Sequence, residues 1–341
     1  MAMLRVGIIG SGFGVIGLLP AFAGIAGCEV VALCAKESDR VRKARRRFGV
    51  KKIYSDWESL LANEKLDALA LAVPPDIQYE IGKAAIRMGL HVFAEKPLTA
   101  NFQQAQELLV LAEKHKITHG IDFIFQEISA WKKVKELINK KVFGKLEHIS
   151  VNWDFLGGDI EHKRSSWKTS VARGGGALSF YFSHGLYYLE YFAGEIIRTK
   201  SALQYSSESR NGGEVKADIL LEFQKGVIGN VQLSCNTRAV IRHRLVFQCQ
   251  RGVILLENQN AVVDSFSVTT YSADGVKNVR VIKDKNRGQE DERVKIVRKL
   301  ATRFIGACKR KKQTSPSFKD GLRVQELIEI IRSEAMQSKT S

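Results

Sequence analysis

Val6-Gly7-Ile8-Ile9-Gly10-Ser11-Gly12-Phe13-Gly14 decides how the first third of this chain is read. An apolar run of strand length feeds a glycine turn, and a helical stretch follows. That order points backbone N–H groups at a pyrophosphate, because the amides at the start of a helix have no partner within the helix. Gly10 permits the tight turn and Gly12 allows close approach to the backbone. The third glycine position of G-x-G-x-x-G is Val15, so the helix must pack differently there. Gly10, Ser11, Gly12, Phe13 and Gly14 are therefore the residues expected along a dinucleotide.

Beyond this turn, short aliphatic runs alternate with amphipathic stretches as far as residue 122, the texture of a parallel sheet with crossover helices. Strands are expected at Arg5–Gly10, Val30–Ala35, Ala68–Val73, His91–Ala94 and Ile117–Ile121, and helices at Arg40–Phe48, Ile77–Met88 and Phe102–His115. A bridging helix at Ile128–Lys140 follows. After it the pattern becomes period-two alternation, with strands expected at Leu146–Phe155, Lys216–Phe223, Gly226–Cys235, Leu245–Gln250, Gly252–Glu257 and Val276–Ile282. The fold class is α/β plus α+β. Residues 1–122 form a doubly wound Rossmann domain on a parallel sheet, and residues 123–341 a domain on a large, mostly antiparallel open sheet. A last helix, about 318–333, is expected to dock back toward the first domain by one apolar stripe.

The end of the second strand lies about twenty residues past the glycine turn, where an acid usually meets the NAD ribose, and it holds Ala35 instead. Lys36 follows and Arg40 is within reach, so a 2′-phosphate would meet positive charge. This leans the cofactor toward NADP, while Glu37 keeps NAD open. Val73 and Pro74, where another strand ends, and Gln78 just beyond are expected beside the same cofactor. Glu95-Lys96-Pro97 closes the run His91-Val92-Phe93-Ala94. Pro97, with no N–H and a fixed φ, ends the strand and biases Lys96 toward extended backbone at the sheet edge where open α/β sheets bind ligands.

With 341 residues, 45% of them hydrophobic, the chain can bury two cores. Cys28, Cys34, Cys235, Cys249 and Cys308 show neither C-x-x-C nor zinc spacing. Reduced thiols in the cytoplasm, and no metal, are expected. Ile25-Ala26-Gly27-Cys28 imitates a lipoprotein cleavage site. The glycines at 7, 10, 12, 14, 17, 24 and 27 make the preceding segment a poor membrane helix, and no transmembrane segment is expected. Net charge is +17, concentrated between Lys283 and Gln313, where twelve Lys or Arg face four acids and Lys309-Arg310-Lys311-Lys312 form a run. No nucleic-acid motif accompanies it, so a solvated helical face with a basic loop is the reading, and nucleic acid is not an expected partner. The polar tail after Met336 is expected to be loose.

The glycine turn, Val73-Pro74-Pro75 and Val92-Phe93-Ala94-Glu95-Lys96-Pro97-Leu98, in this order, resemble the glucose-fructose oxidoreductase / inositol dehydrogenase (Gfo/Idh/MocA) family. The resemblance continues through Ser166-Trp167-Lys168, Gly174-Gly175-Gly176-Ala177-Leu178 and His184, and ends in Pro316-Ser317-Phe318-Lys319-Asp320-Gly321-Leu322. It implies an NAD(P)-dependent oxidoreductase acting on a secondary alcohol or ketone of a sugar, cyclitol or sugar nucleotide. In that reading Lys96 and Glu95 lie beside the nicotinamide, Lys96 hydrogen-bonds the reacting oxygen and His184 exchanges the hydroxyl proton. Both side chains suit those tasks, since an ammonium stabilises developing alkoxide charge and an imidazole titrates near working pH.

Two positions depart from the family. Phe180 stands where many members carry an aspartate four residues before the histidine, and Tyr187 stands at another acidic position; either a tyrosine such as Tyr181 takes over the acid's role, or the substrate and proton path differ. Asp122 stands where an amide is common, as a carboxylate for the substrate pocket or a strand-end cap. With Asp122, the residues Trp153, Asp154, Trp167, Tyr181 and Tyr187 offer the flat faces and polar tips that carbohydrates need. The alternative reading of the departures is a nucleotide-binding regulator or scaffold of the same fold, catalytically weak or inactive. A homodimer or homotetramer through the second domain's sheet is expected.

Overall fold

The computed structural model describes residues 3–207, 212–259 and 262–337. The chain forms two compact units. One comprises the chain up to Ile124 together with Lys285–Gln325, the other Phe125–Asp284 together with the chain from Glu326 onward. The sequence texture drew one boundary at residue 122; the units are instead discontinuous, because a late segment returns to the first of them.

The first unit begins β1 (Leu4–Ile9), α1 (Leu19–Phe22), β2 (Cys28–Cys34), α2 (Asp39–Phe48), β3 (Lys52–Tyr54), α3 (Trp57–Asn63), β4 (Ala68–Leu71), α4 (Pro75–Arg87), β5 (His91–Ala94), α5 (Phe102–Lys114) and β6 (His119–Ile121). All neighbouring strands pair in parallel, in the order β3-β2-β1-β4-β5-β6. That order reverses direction between β1 and β4, the crevice where doubly wound sheets take ligands. Every residue of β4 is buried, as expected of a strand covered on both faces. Ser38, Asp56 and Asn101 cap α2, α3 and α5 by accepting backbone N–H groups of Val41, Ser59 and Gln104. The expected elements of this half are present with ends shifted by a few residues. The three-residue edge strand β3 and the seven-residue α3 escaped the sequence reading because each is too short to show a period.

The second unit contains α6 (Ser129–Asn139), β7 (Leu146–Asp154), α7 (Gly158–Glu161), α8 (Ser183–Ala193), β8 (Ile196–Tyr205), β9 (Glu214–Phe223), β10 (Ile228–Ser234), β11 (Arg242–Cys249), β12 (Gly252–Asn258), β13 (Ser267–Ser272) and β14 (Gly275–Asn278), and ends with the two-residue β15 (Met336–Gln337). Its sheet runs β14-β13-β12-β11-β7-β10-β9-β8-β15, antiparallel except at β7/β10 and β8/β15. β8 was missed in the sequence because a register shift between Ile196 and Arg198 breaks its alternation, and β13 because every one of its six residues but Val268 is Ser, Thr or Tyr with a polar tip. The strand expected at Val276–Ile282 ends at Asn278.

Two helices remain. In α9 (Val294–Arg310), Val297, Leu300, Ala301, Phe304 and Ile305 are buried in the first unit, where Phe304 meets Phe22 and Phe93 at ring distances of 6.4 and 5.5 Å. The basic segment is thus an amphipathic core helix. α10 (Phe318–Glu334) contributes to both units. Phe318 stacks on His119 in the first, and Ser201 Oγ donates to Ile331 O in the second. The five cysteines are free, and burial lifts Cys28, Cys235 and Cys308 to about 12 and Cys34 and Cys249 to about 11, so the thiols are inert. No helix among the described residues is long and apolar enough to cross a membrane. Of the tail after Met336, residues 338–341 lie outside the described residues.

Candidate active site

Gly10 follows β1 with φ +139°, and a Cβ there would lie 2.3 Å from Ala72 O, so only glycine fits where β1 passes β4. Gly12 is exposed and a Cβ on it would meet nothing within 4 Å, which leaves its backbone open to a ligand. The helix that follows starts as a π-helical turn at Gly14–Leu18 before continuing as α1, with Val15 buried in place of the third glycine. Ser11 Oγ accepts the backbone N–H of Lys36 at 2.8 Å, tying the glycine turn to the end of β2. There Ala35 is buried, Lys36 and Arg40 are exposed, and Arg42 is paired with Glu37 at 3.1 Å and also with Asp39. Glu37, the acid that could have met a ribose, is therefore held by an arginine of the following helix α2, while Lys36 and Arg40 project into solvent.

β5 ends in Glu95-Lys96, and the Lys96–Pro97 peptide is cis. Gln78, expected to touch the cofactor, instead lies under this turn. It is 1% exposed, and its Nε2 donates to the carbonyls of Glu95, Pro97 and Leu98 at 2.7, 3.1 and 3.0 Å. An amide with both protons engaged by three carbonyls is a strut for the turn. Val73 and Pro74 are half-buried between β4 and α4, with Pro74 capping α4. Asp122, expected at the substrate, is enclosed directly after β6, 2% exposed and beside Glu95. Burial and the neighbouring Glu95 push its carboxyl well above the usual range, against the pull of Lys96 and Arg293. Arg293 is the residue the sequence did not single out: its guanidinium lies 4.3 Å from the Phe13 ring centre and is gripped by Asp291 through two contacts of 2.8 Å.

In the second unit, three glycines lead to His184, and the structure shows why. Gly174 and Gly176 have φ +82° and +92°, and a Cβ on Gly175 would lie 2.1 Å from Trp167 O. Beneath them Glu214, 1% exposed, accepts from Leu178 N at 3.0 Å and pairs with Arg332 at 2.8 Å, and Arg332 also donates to Gly175 O at 2.7 Å. A buried ion pair thus sets the entry to a π-helical turn, Ala177–Tyr181, and to α8, which carries His184. His184 is 8% exposed, with its ring edge-on to Phe125 at 5.0 Å.

The expected carbohydrate-facing rings fall on one chain of contacts. Trp167 meets Phe180 at 5.2 Å, Phe180 meets Tyr181 at 4.5 Å, Tyr181 meets Phe155 at 4.6 Å, and Phe155 meets Trp153 at 5.7 Å. Trp153 in turn stacks on His243 at 4.2 Å and touches Phe125, the ring that packs on His184. Tyr187 is half-buried on α8. Two expectations need correction. Tyr181 does not take over the missing acid's role toward His184: its ring packs on Phe155 and Phe180 and its hydroxyl lies against Gly157. Asp154 is buried in a pair with Arg242 at 2.6 Å and is not available to a sugar. His243 was not anticipated; it hydrogen-bonds Tyr188 at 3.1 Å, and burial lowers it to about 3, so it is a neutral core ring. No group of metal-ligating side chains occurs among the described residues.

A parallel 3-2-1-4-5-6 sheet whose first strand opens into a Gly-x-Gly cradle defines the class of Rossmann dinucleotide-binding proteins. Residues 4–123 match the oxidoreductase family with an NAD-binding Rossmann fold, and residues 131–255 match the Gfo/Idh/MocA C-terminal domain; the chain belongs to this family. It is 32% identical over 192 residues to an uncharacterized oxidoreductase of Synechocystis sp., covering 56% of this chain and 52% of that protein. It is 29% identical over 151 residues to a dTDP-3,4-didehydro-2,6-dideoxy-alpha-D-glucose 3-reductase of Streptomyces violaceoruber, covering 44% of each. The chain thus spans about half the length of these two relatives. The fold is that of levoglucosan dehydrogenase solved with NADH and L-sorbose, at TM-score 0.83 and 21% identity over 98% of this chain and 97% of that one. A 3-ketoreductase from Actinomadura kijaniata solved with NADP and TDP-benzene matches at TM-score 0.81 and 21% identity over 98% of each chain.

Proposed function

We propose that this protein transfers a hydride between NADP and a secondary alcohol or ketone of a sugar, cyclitol or sugar nucleotide. The observation that carries the reading is the pairing of an open Gly10–Gly12 cradle with Lys36 and Arg40 exposed next to it, while Arg42 holds Glu37 and Asp39. A 2′-phosphate finds two cations there, and a ribose hydroxyl finds no free acid. The bound nicotinamide supplies the hydride acceptor or donor. Gly10, Ser11, Gly12, Phe13 and Gly14 would hold the pyrophosphate side, and the turn braced by Gln78 would present Lys96. Its ammonium stabilises negative charge developing on the reacting oxygen, and His184 takes or returns the hydroxyl proton. Support for the substrate class comes from relatives named for levoglucosan and for a dTDP-linked deoxysugar, and from the run of rings ending at His184. The open face of the second unit's sheet, with Leu220 and Ile228 exposed among polar residues, is the surface assigned to self-association, and the cytoplasm is the proposed compartment.

The direct test measures nicotinamide absorbance with NADPH or NADH across a panel of keto-sugars, and with NADP or NAD across the corresponding alcohols. Lys96→Ala should abolish turnover while circular dichroism and NADPH binding persist; an unchanged rate sinks the mechanism. A second reading, a nucleotide-binding regulator, draws on Phe180, whose ring offers the histidine no carboxylate. Tight NADPH binding with no hydride exchange on any sugar would decide for it.

A further inference from the structure

The strands of the first unit's sheet all run the same way, so the loops that enter them gather at one edge, while the Gly10–Gly14 turn and Lys96 lie at the other. Met3 precedes β1, Arg87 and Met88 precede β5, and Lys114 and Lys116 precede β6. The run Lys309-Arg310-Lys311-Lys312 at the end of α9 is pinned at the same edge. The Lys309 ammonium fills the space that a Cβ on Gly27 would need, just before β2. Thr118 Oγ1 donates to Lys312 O at 3.0 Å and Gln313 Nε2 donates to Ile117 O at 2.7 Å, just before β6.

Arg87, Lys114, Lys116, Arg310, Lys311 and Lys312 are all exposed, and none of them is ion-paired among the described residues. The acids of this edge are already engaged. Glu29 faces Arg5 and Lys51, Glu64 faces Arg5 and pairs with Lys52 at 2.8 Å, Asp67 accepts from Arg5 N at 2.7 Å, and Glu113 pairs with Lys319 at 3.2 Å. A cation in the last turn of a helix complements the helix dipole, which accounts for Arg87, Lys114 and Arg310; Lys116, Lys311 and Lys312 lie past the last helical residue. So many unpaired cations on one edge repel one another, and an anionic surface relieves that repulsion. Met3 and Met88 stand exposed at the same edge, at 53% and 55%. Among the described residues of the first unit, the exposed large hydrophobic side chains include no aromatic ring, the group on which nucleic-acid bases stack. Flexible apolar tips within a basic field suit a lipid interface instead.

We propose that this edge is a docking surface for an anionic phospholipid membrane, with the lysines and arginines at the head groups and Met3 and Met88 set between them. Each basic residue held at such a surface strengthens binding about fivefold. The attraction dies away within about 10 Å at ordinary salt, so the charges count only if they share one face, as these do. The opposite edge, about 20 Å off along the six residues of β1, stays open to nucleotide and sugar. Docking therefore holds the protein at the lipid without covering the crevice, and no step of hydride transfer enters the assignment.

Sedimentation of the full-length protein with vesicles tests it. Phosphatidylcholine vesicles containing phosphatidylglycerol are expected to carry the protein into the pellet at low salt, less so as salt rises, and phosphatidylcholine alone is expected to leave it in the supernatant. Equal binding to both, or none to the anionic vesicles at low salt, overturns the proposal. Arg310→Glu, Lys311→Glu and Lys312→Glu together should weaken binding by at least about tenfold with an unchanged circular dichroism spectrum. Lys200→Glu, Lys277→Glu and Lys283→Glu, at three exposed lysines of the second unit, change the net charge equally and should leave binding within about threefold. Equal losses in the two triple variants would show that the charge of the whole molecule is read rather than this edge, and would refute the assignment. Should the first triple variant fail to fold, Arg87→Ala with Lys114→Ala and Lys116→Ala carries the same expectation. Duplex DNA that strips the protein from vesicles at a lower phosphate concentration than the lipid presents would make nucleic acid the partner and refute the membrane.

Discussion

Gln78→Leu tests whether the Lys96 turn is held from beneath. Leucine is close to glutamine in length and stays apolar, so the exchange removes the amide without opening a large cavity. The two Nε2 protons serve three carbonyls at 2.7–3.1 Å, none of which the short edge of β5 can satisfy otherwise. Leaving a buried acceptor unsatisfied costs about 1–3 kcal/mol, so at about 2 kcal/mol each two to three lost partners amount to about 4–6 kcal/mol. The substitution also removes Gln78 Oε1, itself buried with no partner, which returns about 1–3 kcal/mol. The net expectation is about 2–4 kcal/mol, a large share of the roughly 5–15 kcal/mol that holds a typical domain. Urea unfolding should show that loss. Hydrogen exchange should show the segment Glu95–Thr99 opening more readily while β1 and β4 stay protected, and kcat should fall more than NADPH affinity. A loss under about 1 kcal/mol with unchanged exchange at Glu95–Thr99 would refute the strut.

Other outcomes follow from the same geometry. Gly176→Ala places a Cβ 2.4 Å from Glu214 Oε1 at φ +92°, and should lower thermal stability by about 1–3 kcal/mol or more while disturbing the Glu214–Arg332 pair; a full-stability variant would contradict the packing. Lys36→Ala combined with Arg40→Ala should weaken NADPH binding by about 10- to 100-fold and leave NADH binding nearly unchanged, measured by fluorescence titration at fixed salt. Acid should loosen the fold through buried histidines. Burial lowers His119 from 6.5 to about 4, so between those values the unfolded chain binds a proton the native one refuses, and stability falls as pH drops through that window by up to about 3 kcal/mol. His119→Phe should flatten the slope of stability against pH between 6.5 and 4, at the cost of a constant loss for the bond from Phe318 N to Nδ1.

Much of the fold was legible because its signals are local. Ile8, Ile9 and Gly10 announce a strand that must turn, and the φ of +139° at Gly10 with Ala72 O against it is the physical reason that glycine stands there. β5 was placed to the residue because an apolar run met Pro97. What stayed hidden depends on partners far along the chain. Gln78 was expected at the cofactor because it follows a strand end, yet its partners lie 17 to 20 residues away. The segment Lys283–Gln313 was read as a solvated basic face. Its apolar side packs against α1, and Arg298 is buried with Pro20 O at 3.0 Å and Glu290 at 2.9 Å, contacts that net charge does not encode.

From the residue order alone came the two kinds of sheet, the glycine cradle and the candidates Lys96 and His184, since strand period, turn chemistry and glycine requirement act over a few residues. Only the folded chain decided which side chains are enclosed and what they meet there. It put Asp122 against Glu95, Arg293 over Phe13 and Glu214 under Gly176, because desolvation and pairing depend on groups that sequence holds far apart, Arg293 and Phe13 the furthest of these, and packing brings into contact.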